Sequence, residues 1–144
     1  EVEVDPQTGD ARIGRLVTVQ DVGTVMNQAL VDGQMHGGIA QGIGQAMLEH
    51  CVYDVDSGQL LTGSFMDYGI PHFRDLPSMD SATFSLPSPN NRLGIKGVGE
   101  LGPKGAPPAI VNAIVHALSA EGIDHLEMPA TAARVWQALQ AAKR

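Results

Sequence analysis

The sequence predicts an α+β domain in which hairpins and short strands pack with about three helices. Short segments with alternating apolar residues, bounded by turn-forming residues, indicate strands. Longer segments in which apolar residues recur every three or four positions indicate amphipathic helices. The 144 residues form one predicted domain, and 17 glycines with 9 prolines and only 4% aromatic residues favour turns and close backbone contacts over thick sheet packing.

Composition excludes several classes of function. A net charge of −7 without any basic stretch argues against nucleic-acid binding. The apolar runs are too short to cross a bilayer, and the absence of a signal-peptide pattern predicts a cytoplasmic protein without membrane contact. Cys51 is the only cysteine, so an internal disulfide and an iron–sulfur cluster are both excluded. Because the chain begins with Glu1 and not methionine, it is expected to be an excised or processed piece.

Two hairpins are predicted in the N-terminal half, one on each side of a long helix. Residues 1–4 and 13–22 alternate around a turn and form the first hairpin, and residues 51–62 form the second around an Asp/Ser/Gly turn. Between them, Asn27 is the predicted N-cap of a helix that runs to about His50. Residues 64–68 are predicted as extended chain, 72–77 as a loop and 81–86 as a strand.

The long helix is unusual because several glycines interrupt it. One face carries the apolar residues Met35, Ile39, Ala40, Ile43, Ala46 and Met47, and the opposite face carries Gln34, Gly38, Gln41 and Gln45. Each glycine weakens an isolated helix by roughly 1 kcal/mol relative to alanine. Either a ligand or another backbone must therefore approach this helix closely, and the residues alone leave both explanations open. His36 is predicted to be a packing residue near the apolar face.

The C-terminal half predicts two further helices. The Pro107-Pro108 pair is expected to open a helix over residues 109–120, which ends at Gly122. Residues 123–128 are predicted as a short edge strand. Thr131 then caps a helix over residues 132–142, and Trp136 and Leu139 are expected to anchor it to the core.

The glycine-rich stretch LGIKGVGELGPKGAPPA, residues 93–109, holds a single carboxylate, Glu100. Small residues on both sides let a large group approach the backbone and leave N–H groups free to donate. Glu100 is then either a base or a solvated loop residue. The stretch also matches the dinucleotide-binding pattern, and an acidic residue, Glu121, follows about twenty positions later. That interpretation is rejected because the prolines are expected to prevent a helix from starting at the loop and because Glu121 is expected to end a helix and not a second strand. The five histidines show no spacing typical of a metal site.

Three motifs together resemble the large, molybdopterin-binding subunit of the molybdenum hydroxylases, the group of xanthine dehydrogenase, aldehyde oxidase and carbon monoxide dehydrogenase. They are GQMHGGIAQG at residues 33–42, LTGSFMDY at 61–68 and the stretch at 93–109. The resemblance covers nearly the whole chain and identifies residues 1–144 as the C-terminal part of the molybdopterin-binding domain. It departs from the family at Gln28, where relatives commonly have proline.

The resemblance implies a function and a set of site residues. Glu100 would be the general base for oxidative hydroxylation of a small aldehyde or N-heterocycle. Gln34, and with less support Gln41, would hydrogen-bond the pterin, since an amide both donates and accepts. The residues Lys96, Gly97, Val98 and Gly99 would line the cofactor with main-chain amides. That cofactor is molybdopterin, in its simple or its cytosine dinucleotide form, and no metal ligand is assigned to this chain.

The resemblance also implies partners: the rest of the large subunit, and iron–sulfur and FAD modules elsewhere. More than half of the pterin contacts would come from outside the chain, so the isolated chain is expected to be inactive. A second hypothesis is a separate, non-catalytic domain that folds, binds no cofactor and forms homodimers through exposed apolar faces. The catalytic interpretation would fail if the Glu100 carboxylate pointed into bulk water, far from residues 34–45.

Overall fold

A computed structural model describes residues 1–143 and confirms the α+β class, with three α-helices and two small sheets. In order, the elements are β1 (Val2–Val4), β2 (Ala11–Ile13), β3 (Arg15–Gln20), α1 (Gln28–Met47), β4 (Ser78–Thr83), α2 (Leu101–Leu118) and α3 (Ala132–Ala142). Single 3-10 turns lie at Phe73–Asp75 and Ser119–Glu121. Within residues 1–143, no helix is both long enough and apolar enough to span a membrane.

The first hairpin is only partly as predicted. β1 and β2 pair antiparallel, with Val2 opposite Ile13. The predicted strand over residues 13–22 is wrong as a single hairpin strand, because the chain breaks register at Gly14 and continues as β3. β3 pairs in parallel with β4, from Arg15 opposite Ser78 to Gln20 opposite Thr83. Alternation of apolar residues identifies a strand but carries no information about a partner sixty residues away.

α1 begins where the sequence predicts it. The side chain of Asn27 accepts a hydrogen bond from the N–H of Leu30 at 3.1 Å, which is the expected N-cap contact. The apolar face of α1 packs on α2, and this contact forms the centre of the core. Its residues are Met35, Ile39 and Ile43 from α1 and Ile110, Ile114 and Leu118 from α2. His36 is exposed, so its predicted packing role is wrong.

α2 begins at Leu101, six residues before Pro107, so the prediction that the proline pair opens this helix is wrong. Both prolines lie inside the helix, and Pro107 is buried. A Cβ atom built on Gly42 would lie 2.7 Å from the Cβ of Ala106 and 3.0 Å from the ring of Pro107. The proline ring therefore contributes to the contact with α1. The prolines do not keep a helix from starting at the loop, and that reason for rejecting a dinucleotide site fails.

Four further predictions need correction. Residues 123–128 form no strand, and Ile123 and Leu126 are instead buried in the core. Residues 64–68 form a turn, in which the Ser64 hydroxyl donates to Asp67 at 2.8 Å. In α3, which Thr131 caps as predicted, Leu139 is buried but Trp136 remains 43% exposed. The second hairpin is reduced to one bridge between Tyr53 and Leu60.

Candidate functional site

Apart from Lys96, the predicted site residues lie on α1 and on the Glu100 loop, which we define as residues 97–100 immediately before α2. The first turn of α2, which follows this loop, is in direct contact with α1. A Cβ built on Gly102 would lie 2.7 Å from the backbone carbon of Gly38, and a Cβ built on Gly38 would lie 2.6 Å from the ring of Pro103. No side chain fits at either position, so the two backbones touch. The contact is two residues from Glu100 and one helical turn from Gln34.

This contact decides between the two explanations for the glycines of α1. Gly38 and Gly42 lie against α2, so helix–helix packing accounts for them. Gly33 and Gly37 are different, because a Cβ built on either would have no atom within 4 Å. The sequence placed Gly38 on the polar face of α1, and the structure places it in the core instead. Helix–helix packing therefore accounts for Gly38 and Gly42 but not for Gly33 and Gly37.

Glu100 is the N-cap residue of α2, so it lies at the positive end of the helix dipole. Its side chain makes no capping hydrogen bond. The nearest cation is the ammonium of Lys104, 3.4 Å away on the next turn. The side chain is 79% exposed, so within this chain the carboxylate is open to solvent. Enclosing walls would have to come from outside the described residues.

The Glu100 loop presents a run of free donors. Among the described residues, the main-chain N–H groups of Gly97, Val98, Gly99 and Glu100 make no hydrogen bond. A Cβ built on Gly97 or Gly99 would meet no atom within 4 Å, so the space beside these amides is open. Consecutive unpartnered N–H groups beside a helix N-terminus form a surface suited to an anionic or oxygen-rich group.

Gln34 and Gln41 both lie on the exposed side of α1, seven residues and about 10 Å apart along the axis. Neither side-chain amide makes a hydrogen bond within residues 1–143. Gly37 lies between them on the same face and leaves the surface open. Each amide is therefore free to donate and accept at once.

Lys96 is placed differently from the other predicted site residues, because its side chain has a protein partner. Its ammonium forms a close ion pair with the carboxylate of Asp21, on the segment that follows β3. Sequence reasoning missed Asp21 because 75 residues separate the partners and no local pattern links them. The hydrogen bond from Lys96, together with one from the N–H of Gly23, lowers the pKa of Asp21 to about 2.

This depressed pKa predicts how stability depends on pH. The usual pKa of this carboxyl is 3.8, so the stabilisation from charged Asp21 is fully present above about pH 4 and is lost as the pH falls towards 2. We expect Asp21→Asn to lower the free energy of unfolding at pH 7, and the difference from wild type to shrink below pH 4. Urea unfolding at a series of pH values measures this difference. A difference that stays constant down to pH 2 would contradict the assignment.

Other candidate sites within the described residues are less convincing. No group of three His, Cys, Asp or Glu side chains among residues 1–143 is arranged to hold a metal ion. A cleft of about 670 Å³ opens between the first hairpin and the segment around Arg74. None of the predicted site residues lines it.

Comparison with known proteins identifies the family. The family model of the molybdopterin cofactor-binding domain matches residues 1–77. This chain belongs to that family. The nicotine 6-hydroxylase large subunit of Paenarthrobacter nicotinovorans is 39% identical over 95% of this molybdopterin-binding domain. The carbon monoxide dehydrogenase large chain of Hydrogenophaga pseudoflava is 35% identical over 96% of it. The resemblance inferred from the three motifs is thus confirmed.

Solved structures agree with the sequence comparison. Quinoline 2-oxidoreductase from Pseudomonas putida 86 superposes with a TM-score of 0.92, at 41% identity over 96% of the molybdopterin-binding domain. A Cu,Mo-containing carbon monoxide dehydrogenase gives 0.94, at 32% identity over 99%. The chain spans only 17% of the nicotine 6-hydroxylase large subunit and 18% of the quinoline enzyme chain. These relatives are therefore much longer than the segment described here.

Proposed function

We propose that this chain forms one wall of the molybdopterin site in the large subunit of a molybdenum hydroxylase and supplies its general base. The observation that carries the proposal is the backbone contact between Gly38 and Gly102. This contact joins α1, which carries Gln34 and Gln41, to the first turn of α2, two residues after Glu100. Among residues 1–143, both α1 and the Glu100 loop have polar groups that make no hydrogen bond.

The residues present fit a pterin. A pterin edge has donors and acceptors side by side, and the amides of Gln34 and Gln41 offer both. Oxygen-rich parts of the cofactor suit the free N–H groups of the Glu100 loop. The open space beside Gly37 and Gly97 lets a flat group approach the backbone. When bound, the cofactor would supply the redox and Lewis-acid chemistry of the reaction.

In this proposal, Glu100 accepts the proton from the oxygen nucleophile that attacks the substrate carbon. Glu100 lies at the N-terminus of α2, where the helix dipole attracts negative charge. Substrates of the proposed enzyme are small aldehydes or N-heterocycles. The names of the relatives include both classes: nicotine and quinoline enzymes, and an aldehyde oxidoreductase from Megalodesulfovibrio gigas.

The exposed surface supports a larger assembly. The chain exposes 9402 Å², whereas a compact 15.2 kDa monomer exposes about 7,100 Å². Several large apolar side chains are almost fully exposed, namely Val55, Phe65, Met66 and Phe73. We propose that the remainder of the large subunit covers them. Iron–sulfur and FAD groups belong to other modules, since one cysteine cannot hold a cluster.

The same surface also supports the second candidate function, a domain that folds alone, binds no cofactor and forms homodimers. An excess of about 2,300 Å² over a compact monomer is enough for a stable protein interface. Measurement of bound cofactor separates the two candidates. Elemental analysis and pterin analysis should find molybdenum and pterin in the enzyme assembled from the complete large subunit, and none in the purified 144-residue chain.

A pair of variants tests the wall itself. Gly37→Val would place a side chain in the open space between Gln34 and Gln41, and we expect it to lower the molybdenum and pterin content of the assembled enzyme. Gly14→Val is the matched control, because its surroundings are equally open but lie outside the site. Equal cofactor content in both variants and wild type would refute the proposal that this face of α1 forms one wall of the cofactor site. Pterin analysis also distinguishes the simple cofactor from its cytosine dinucleotide form.

A further inference from the structure

The Glu100 loop is a short connection between two segments, each of which is held by contacts with other parts of the fold. On one side, the N–H of Lys96 donates to the carbonyl of Val22 at 3.2 Å, and the N–H of Thr24 donates to Gly94 at 2.9 Å. On the other side, Gly102 is buried against α1. Between them, the N–H groups of residues 97–100 have no partner among the described residues. The position of Glu100 therefore depends on how firmly the two ends are held.

Asp21 holds the first of these ends to two other segments. One carboxylate oxygen of Asp21 pairs with the ammonium of Lys96. The other accepts hydrogen bonds from the N–H of Gly23 at 2.9 Å and the N–H of Leu86 at 3.2 Å. The Asp21 and Lys96 side chains are only 33% and 32% exposed. One carboxylate thus ties the turn after β3, the segment after β4 and the start of the loop together.

We infer that Asp21 and Lys96 form a brace that positions Glu100 for proton transfer, so that Asp21 is a positioning residue for the reaction. This inference rests on the proposed function, since it concerns the base of the same site. The brace lies four residues before Glu100 and touches neither substrate nor cofactor through Asp21. Misplacing a reacting group by about 1 Å can cost 10²-fold in rate. The loop is tied at its far end, where the N–H of Leu101 donates to the carbonyl of Val98 at 3.1 Å, but its own N–H groups make no hydrogen bond among the described residues, so a shift of Lys96 would be passed on to Glu100.

The alternative is that the ammonium of Lys96 binds the cofactor itself. The geometry argues against direct binding, because the Lys96 ammonium is paired with the Asp21 carboxylate and does not lie in the open space beside Gly97 and Gly99. Lys96 then contributes to the site through its position in the backbone. The two roles predict different results when Asp21 alone is changed.

The test is a double-mutant cycle in the assembled enzyme. We expect Asp21→Asn and Lys96→Met each to lower kcat about 10- to 100-fold, with KM and molybdenum content close to wild type. The double variant should be no worse than either single variant, because both break one interaction. Lys96→Arg should retain most of the turnover. Asp80→Asn is the control, since it breaks the Arg15–Asp80 ion pair between β3 and β4 without touching the loop, and it should turn over like wild type.

The outcomes separate this inference from the proposed function. If Lys96→Met loses cofactor while Asp21→Asn keeps normal turnover, Lys96 binds the cofactor directly and the brace is refuted. Full turnover in both single variants would also refute it, even where Glu100→Gln is inactive and the proposed function stands. If Asp80→Asn reduces kcat as much as Asp21→Asn does, the effect is one of general stability and the positioning role fails.

Discussion

Replacing Glu100 with glutamine in the assembled enzyme is expected to reduce kcat about 10²- to 10⁴-fold while molybdenum and pterin remain bound. Glutamine has nearly the same shape as glutamate but cannot accept the proton. The structure allows this substitution to be interpreted simply, because the Glu100 side chain makes no capping hydrogen bond with α2. Steady-state kinetics with an aldehyde or N-heterocycle that the wild-type enzyme oxidises, together with metal and pterin analysis, measures the effect.

The same substitution also removes the pairing of Glu100 with Lys104, and this needs its own control. Lys104→Gln breaks the ion pair and leaves the carboxylate in place. An exposed pair of this kind contributes about 0.3–0.5 kcal/mol at most. We therefore expect Lys104→Gln to retain turnover. Normal turnover in Glu100→Gln would remove Glu100 as the base, and equal losses in both variants would assign the effect to the ion pair.

Local features of this fold could be predicted from the sequence. Asn27 and Thr131 cap α1 and α3 as predicted, because an N-cap bond joins residues only three positions apart. The glycines of α1 correctly indicated a close approach. The helical periodicity of the sequence did not show which glycines face the neighbouring helix, and it placed Gly38 on the wrong face. The start of α2 was missed because the sequence rule places proline at the first helical position, whereas Pro107 here packs against α1.

Non-local contacts explain what the sequence left unknown. The parallel pairing of β3 with β4 and the Asp21–Lys96 pair join residues more than sixty positions apart. No periodicity or spacing encodes such partners. Under the proposed function, the exposure of Glu100 has another origin, because a site shared with the rest of a large subunit is open wherever one segment is considered alone. The identities of the site residues could thus be proposed from motifs, but their enclosure could not.

The contact between the helices should be the most sensitive point of the fold. Gly102→Ala would place a methyl group 2.7 Å from the backbone of Gly38 and the N–H of Ile39, neither of which can move without shifting a helix. We expect this variant to lower the free energy of unfolding by about 1–3 kcal/mol. The Glu100 loop ends two residues before Gly102, so turnover of the assembled enzyme should fall as well.

Gly105→Ala is the matched control for this prediction. It makes the same substitution on the same helix, one turn further on, where a Cβ meets no atom within 4 Å. Alanine is the better helix former by about 1 kcal/mol, so this variant should be more stable than wild type and fully active. Urea unfolding of the purified chain compares the two. If Gly102→Ala is as stable as Gly105→Ala, the backbones do not touch at Gly38, and the structural basis for placing Glu100 beside α1 is lost.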